Sequence, residues 1–449
     1  MPQWRILWVA KGRINWQKKV TFKLLLSDIA EHQNLIMELS WQIIHQLEKE
    51  YGDSFYLLNI SQFENNYREF LQAFRSIYLN SNIGYSYKTN YTPRLGQSVN
   101  SLGGYAEVVS QMEYDIAISI GVPPSRIIFN GPLKERENIE NAIQAGSIVN
   151  LDSLPEVFMV EDLARRRPDH QITVGLRCNF DIGTSRISRF GFDVEAGELD
   201  YIFKRLGSLD NCFIAGLHCH FSTSQRSLDS YALRTQKILE LSEYYFKDKQ
   251  PEFIDIGGGF FGKMDDNLSK QFDCHIPSYH EYAEAIATQF RDRFTQNSGP
   301  ELILEPGVAI VADVMTFVGK VVVVKTIRSR KIALVTGSIH NIKPTLTDKR
   351  KPVKVYKNPD NTNQEKLINS VDFVGYTCME HDCLYEDYQG EIGSGDYVVF
   401  ENVGAYTTVF KPPFIRPNPP IISYDSILDE YALSRRRETS HDVLCTYII

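Results

Sequence analysis

A (β/α)8 barrel of the α/β class followed by a C-terminal antiparallel β domain is predicted by three features of this 449-residue sequence. Eight short apolar or β-branched runs alternate with helical, charge-decorated segments. Polar residues gather where those runs end, and after Gly307 the helical segments vanish while strand-like runs continue. An open doubly wound sheet is the alternative. The length suits two domains, one of them large, because barrels run to roughly 250 residues as a single unit. The net charge of −8, with acids and bases interspersed, points away from nucleic acid and anionic membranes and toward a small-molecule partner. Seven cysteines without a C-x-x-C pair, an N-terminus without a signal-peptide core, and no apolar run of about 18 residues predict a reduced, cytoplasmic chain with no membrane partner.

Taken in order, residues 1–24 are basic and aromatic without a clear period, and 27–49 carry apolar positions at helical spacing behind a capping Ser27. This predicts an arm plus an amphipathic helix over 1–50. Phe55–Ile60 reads as a strand and Phe63–Tyr78 as a helix. The barrel, placed at 51–312, takes its strands from Ile83–Lys88, Tyr105–Ser110, Arg126–Gly131, Ser147–Ser153, Thr173–Asn179, Ile214–His220, Phe253–Gly258 and Leu302–Gly307. Helices are expected over Glu113–Ile120, Leu133–Ala145, Leu154–Arg166, Leu228–Lys247 and Tyr279–Phe294. The β domain, placed at 313–430 and joined by an N-terminal segment, is read from Val314–Lys325, Lys331–Thr336, Ser370–Thr377 and Tyr397–Glu401. Lys349–Lys366 reads as an exposed loop, Lys411–Pro420 as a proline-stiffened connection, and 431–449 as a surface tail.

Barrel active sites lie at the C-terminal strand ends. Strand one ends in Lys88, strand five carries Arg177, strand six ends in His218-Cys219-His220, strand seven in Gly257-Gly258-Gly259, and strand eight in Glu305-Pro306-Gly307. Lys88 is a candidate amine nucleophile toward a carbonyl cofactor, or else a solvated strand end. The glycine triplet leaves bare backbone N–H groups for a phosphate, or makes a tight turn. His218 and His220 share a strand face, which suits a metal pair or a ring-stacking imidazole beside a structural one. A lysine, an anion cradle, a stacking histidine and a carboxylate on one rim are the parts that pyridoxal 5'-phosphate requires.

On these residues, in this order, the chain from about Tyr51 to Phe410 resembles the fold-type III, alanine-racemase-like pyridoxal-phosphate enzymes, specifically the diaminopimelate, ornithine and arginine decarboxylase group. The resemblance implies that Lys88 is the Schiff-base lysine, with Glu107 and Glu113 the acids beside it and Arg177 an arginine near the ring. It implies that His220 stacks on the ring, that Thr223, Gly257, Gly258, Gly259 and Tyr406 serve the phosphate, and that Glu305 keeps the pyridine nitrogen protonated. Ser188-Arg189-Phe190-Gly191 stands where the family has Ser-Lys-Phe-Gly. Cys378 and Asp382 match a cysteine motif that reaches into the partner subunit's site, so Cys378 is the expected proton donor to the α-carbon. A symmetric homodimer with shared sites is implied, and no metal.

Four departures from the family bear on substrate. Val308 replaces an arginine after Glu-Pro-Gly, and Met379 replaces an acid that greets a distal substrate amine. Lys343-Pro344-Thr345-Leu346-Thr347 stands for Arg-Pro-x-Leu-Tyr, and Ser222 for a glycine. A methionine cannot balance an ammonium. The expected reaction is α-decarboxylation of an atypical amino acid, or of a carrier-bound or citryl-type conjugate, rather than of diaminopimelate, lysine or ornithine. Asp382, Met379 and Lys343 are candidate substrate contacts, with Arg94, Glu380 and His381 behind them. The alternatives are a racemase or epimerase of the same fold, a metal-dependent barrel hydrolase, and a non-catalytic cofactor-binding protein.

Overall fold

The computed structural model describes residues 38–183, 187–247, 249–294, 298–360, 370–426 and 429–448. The arm, and the predicted helix up to residue 37, lie outside them. Within the compact unit Leu39–Ile449 a helix runs over Trp41–Tyr51, started by Ser40, whose side chain accepts the Ile43 N–H. The strand β1 (Ser54–Asn59) follows, and Asn59 caps the next helix, Ile60–Arg75.

Then come β2 (Ser81–Ser86), β3 (Tyr105–Val108), β4 (Ile127–Phe129), β5 (Ile148–Leu151), β6 (Ile172–Asn179), the short β7 (Phe192–Asp193), β8 (Cys212–His218), β9 (Phe253–Gly258) and β10 (Glu301–Glu305). Without β7, which lies beside β6, they pair in parallel around a closed ring. The ring closes where Leu302, Ile303 and Leu304 of β10 lie opposite Ser81, Asn82 and Ile83 of β2. This is the predicted barrel, not an open sheet. Strands buried on both faces need near-continuous apolar runs, which is why they were visible in the sequence. Helix Leu154–Arg166 begins with a proline in its first turn and ends on Arg165 and Arg166, in keeping with the helix dipole. Two helices not anticipated, Pro93–Ser101 and Glu198–Leu206, have nine residues each.

The second sheet holds β11 (Met315–Ile327), β12 (Arg330–Val335), β13 (Val353–Tyr356), β14 (Val371–Val374), β15 (Cys383–Tyr388), β16 (Tyr397–Phe400), β17 (Ile421–Asp425) and β18 (Glu430–Arg435). Its order is β15-β14-β12-β11-β1-β17-β18, with β16 on β11 and β13 on β16. Four expectations change here. The sheet is mixed rather than antiparallel, because β12–β14 and β1–β17 run parallel. β1 belongs to it and not to the barrel, with Ser54 opposite Gly319 and Tyr56 opposite Ile421. Flanked on both sides, β1 buries Phe55, Tyr56, Leu57 and Leu58, as an interior strand must. The presumed loop Lys349–Lys366 contains β13, where Val353 and Val355 alternate with exposed Lys354; residues 361–366 lie outside the described set. The presumed tail starts inside β18, and Arg437 then donates to Asp53 Oδ1 at 3.0 Å. No described helix is long and apolar enough to cross a membrane.

Candidate active site

β2 ends at Ser86, and Lys88 sits in the single 3-10 turn Tyr87–Thr89 that follows, so the strand stops short of the lysine. The turn aims its amine across the rim. Lys88 Nζ pairs with Glu107 on β3, a carboxylate with no solvent exposure, and lies 3.4 Å from Ser86 Oγ. Asn130, just past β4, donates to Glu107 Oε1 at 3.1 Å and to Glu305 Oε1 at 2.5 Å. Its own Oδ1 accepts from Asn150 at 2.8 Å. One network therefore joins Lys88 to Glu305 from opposite ends of the sequence. Burial works to lower the Lys88 pKa, but Glu107 and Glu305 outweigh it and the net shift is upward. The amine rests as an ammonium.

Glu305 ends β10 among imidazoles. His220 Nδ1 is 3.2 Å from Glu305 Oε2 and accepts the Gly258 N–H at 3.0 Å. Burial lowers His220 to about 4, which leaves the ring neutral and Nδ1 free to accept. Burial alone would raise Glu305, but His218 and Lys88 hold it well below the ordinary carboxylate range. Neighbouring Asp255 goes the other way, raised by burial and by the charge of Glu305. Of these two acids Glu305 carries the charge. His218 Nε2 stands 3.5 Å from Glu305 Oε1, and neither of its ring nitrogens has a hydrogen-bond partner among the described residues. The ligand atoms of His218, His220 and Glu305 lie within 4.8 Å of one another, a donor set suited to one cationic centre, whether metal or protonated ring nitrogen.

The glycines make a cradle of bare backbone. Gly257 (φ +73°) and Gly259 (φ +92°) are left-handed, and a Cβ on Gly258 would lie 2.2 Å from the Glu305 carbonyl oxygen. Tyr231 Oη donates to the Gly258 carbonyl at 3.0 Å and fixes the loop. Tyr406, left-handed at φ +59°, donates its N–H to the Thr89 carbonyl at 2.8 Å, which brings it beside Lys88. Thr223 Oγ1 accepts the Arg226 N–H at 3.2 Å in the loop after β8. Arg177 is buried, its Nη1 3.0 Å from Asp152 Oδ1 and its Nη2 3.3 Å from the His220 carbonyl. Its guanidinium stacks on Phe190 of the Ser188–Gly191 segment, 4.6 Å from the ring centre.

The expected cysteine loop lies elsewhere. Cys378 is exposed and lines a cavity of about 790 Å³ together with Lys343, Met379, Glu380 and His381; neither Lys88 nor Glu305 borders it. Asp382, a candidate substrate contact, also lines this cavity. It is 3% exposed, its Oδ1 accepts the Ile339 N–H at 2.7 Å, and its Oδ2 accepts Thr377 N–H and Oγ–H at 3.0 and 2.6 Å. Its charge braces the loop. Glu113 likewise caps the turn at Val109, 2.8 Å from that N–H, and burial raises its carboxyl to about 7. Arg94 is exposed on helix Pro93–Ser101. Asn130, Asn150, Asp152 and Asp255 were missed. The one signal for Asn130 was its place at a barrel strand's C-terminal end.

A family profile described as "Pyridoxal-dependent decarboxylase, pyridoxal binding domain" matches residues 60–312. The chain belongs to this family. Diaminopimelate decarboxylase of Methanocaldococcus jannaschii is 24% identical over 424 residues, covering 90% of this chain and 93% of the relative. L-glutamyl-(BtrI acyl-carrier protein) decarboxylase of Niallia circulans is 26% identical over 435 residues, covering 92% and 97%. The crystal structure of the M. jannaschii enzyme matches with a TM-score of 0.79 at 24% identity, covering 90% of this chain and 94% of that one. The chain is thus a pyridoxal-phosphate-dependent decarboxylase on an alanine-racemase-like fold. Its rim fits that cofactor: the Gly258 backbone has no room for a side chain, the neutral imidazole of His220 offers a ring face, and Glu305 is ionised and buried.

Proposed function

We propose that this decarboxylase removes the α-carboxylate of an amino-acid conjugate whose far end carries no free ammonium. The observation that carries the reading is Met379 beside exposed Cys378 in one cavity, an apolar side chain that cannot stabilise a distal cation. The relative that acts on a carrier-bound glutamyl group aligns over 92% of this chain, in keeping with such a conjugate. Bound pyridoxal phosphate supplies the electron sink for the pair released with carbon dioxide.

The chain's own residues do the rest. Lys88 holds the cofactor, and its resting proton leaves Nζ for Glu107 Oε2, the oxygen it already contacts. Ionised Glu305 keeps a proton on the ring nitrogen, neutral His220 covers the ring face, and Gly257, Gly258 and Gly259 leave side-chain-free backbone for the phosphate, the Gly257 and Gly258 N–H groups being held by Asp255 Oδ1 and His220 Nδ1, with Thr223 and Tyr406 helping to bind it. Arg177 backs the ring from the side of Asp152. Cys378 of the partner subunit returns a proton to the α-carbon, in a homodimer whose sites each draw on two chains. The barrel at 51–312, apart from β1, carries the cofactor, and the domain at 313–430 carries the cysteine. All seven cysteines are free, which suits a reducing cytoplasm.

Carbon dioxide release tests the substrate, measured across diaminopimelate, lysine, ornithine, glutamate and glutamyl thioesters of phosphopantetheine or a carrier protein. The thioesters are expected to be turned over and the diamines not. Diaminopimelate turnover with a kcat/KM equal to or above that of the thioesters overturns the proposal.

A further inference from the structure

A second charged assembly lies beside the rim and takes no part in the chemistry above. Lys134 and Glu156 are 4% and 3% exposed. Lys134 Nζ donates to the Gly131 carbonyl at 2.6 Å and stands 3.0 Å from Glu156 Oε2. That same oxygen accepts the Asp152 N–H at 2.8 Å. Asp152 in turn receives Arg177 Nη1 at 3.0 Å, and Arg177 Nη2 reaches the His220 carbonyl at 3.3 Å. The run passes from the loop after β4, through the loop after β5, to β6 and to His220, two residues past β8. Four consecutive pieces of the rim are tied by it.

An ion pair this deep is a poor way to gain stability, since well-packed apolar side chains of similar size serve as well or better. Burial pulls Lys134 down and pushes Glu156 up, so each is held against its own desolvation. What the pair does supply is geometry. A fixed Glu156 oxygen fixes the Asp152 backbone, and Asp152 fixes the guanidinium that holds the His220 carbonyl.

We propose that Lys134 and Glu156 are positioning residues for the cofactor: through Asp152 they set where Arg177 and His220 meet the ring. The inference rests on the reading that Arg177 and His220 face that ring. Neither Lys134 nor Glu156 touches the reacting atoms.

Binding of pyridoxal phosphate to the full-length apoenzyme tests it without reference to turnover. The variant Lys134→Met/Glu156→Gln leaves no unpaired charge and keeps an oxygen for the Asp152 N–H, but releases the clamp. Its Kd is expected to rise on the order of tenfold, the scale seen when the partner behind a binding group is lost, with the melting temperature recorded alongside. In an Arg177→Gln background the same pair of changes is expected to add nothing, because it acts through Arg177. An unchanged Kd, or a full additional loss in that background, overturns the proposal. An Arg177→Gln protein that binds the cofactor normally overturns the reading of Arg177 first, and this one with it. If the pair variant does not fold, Asp152→Asn interrogates the same link: tenfold weaker binding is expected, and wild-type binding overturns the inference.

Discussion

The rim around Lys88 and the loop around Cys378 are built on opposite principles. At the rim Glu107 and Glu305 are fully buried, and both bond to Asn130 from between them, so a single chain completes the arrangement. Around Cys378 the bracing is local, Asp382 tying Ile339 to Thr377, while the thiol faces outward beside an open cavity. The Lys88 rim is enclosed and over-determined, whereas the Cys378 loop is held stiffly on an exterior surface.

The largest effect expected comes from breaking the enclosed half. Lys88→Ala should lower decarboxylation by more than about 10³-fold, as loss of a covalent group does, and borohydride should no longer fix the cofactor to the chain, read by peptide mass. The exposed half is tested by mixing. Cys378→Ala and Lys88→Ala proteins, each inactive, should on exchange of subunits regain roughly one quarter of wild-type activity, the statistical yield of one intact site per heterodimer in a symmetric pair. No recovery after proven exchange would place both groups in one chain's site and dissolve the contrast.

Smaller effects sharpen it. Asn130→Ala leaves two buried carboxylates short of a donor and should lower stability by about 3 kcal/mol in denaturant titration. Asp382→Asn should cost about 1–2 kcal/mol and lower kcat while cofactor affinity stays unchanged; weakened cofactor binding would show that the two regions are not separate. The least effect is on pH dependence. His220 is lowered from 6.5 to about 4 in the folded protein, so the unfolded chain takes up its proton first as pH falls. Its contribution to apoenzyme stability is complete above about 6.5 and is lost between there and about 4. His220→Phe should flatten that slope in melting temperature.

The barrel was legible because doubly buried strands leave continuous apolar runs, and their ends fell where Lys88, His220, Gly257 and Glu305 sit. The second sheet was legible only in part. β13 hid behind lysines and a proline, though Val353 and Val355 kept the strand period. β1 stood in the sequence just ahead of the barrel's first strand, Ile83–Lys88, and no local property records which sheet a buried strand joins. The site was read through charged and glycine residues, whose chemistry is explicit. Asn130 escaped because a neutral amide announces nothing until its two carboxylates are seen around it. For Asp382 the sequence reveals a carboxylate but not the backbone N–H groups of Ile339 and Thr377 that it accepts.

The place of β1 also bears on how the chain is made. It leaves the ribosome before any of the barrel, yet its parallel neighbour Ile421–Asp425 is synthesised only after all of it. While the barrel is made both edges of this apolar strand are unfilled, and until Ile421–Asp425 emerges one still is, a segment that a holding chaperone would bind and that premature termination would leave exposed to aggregation.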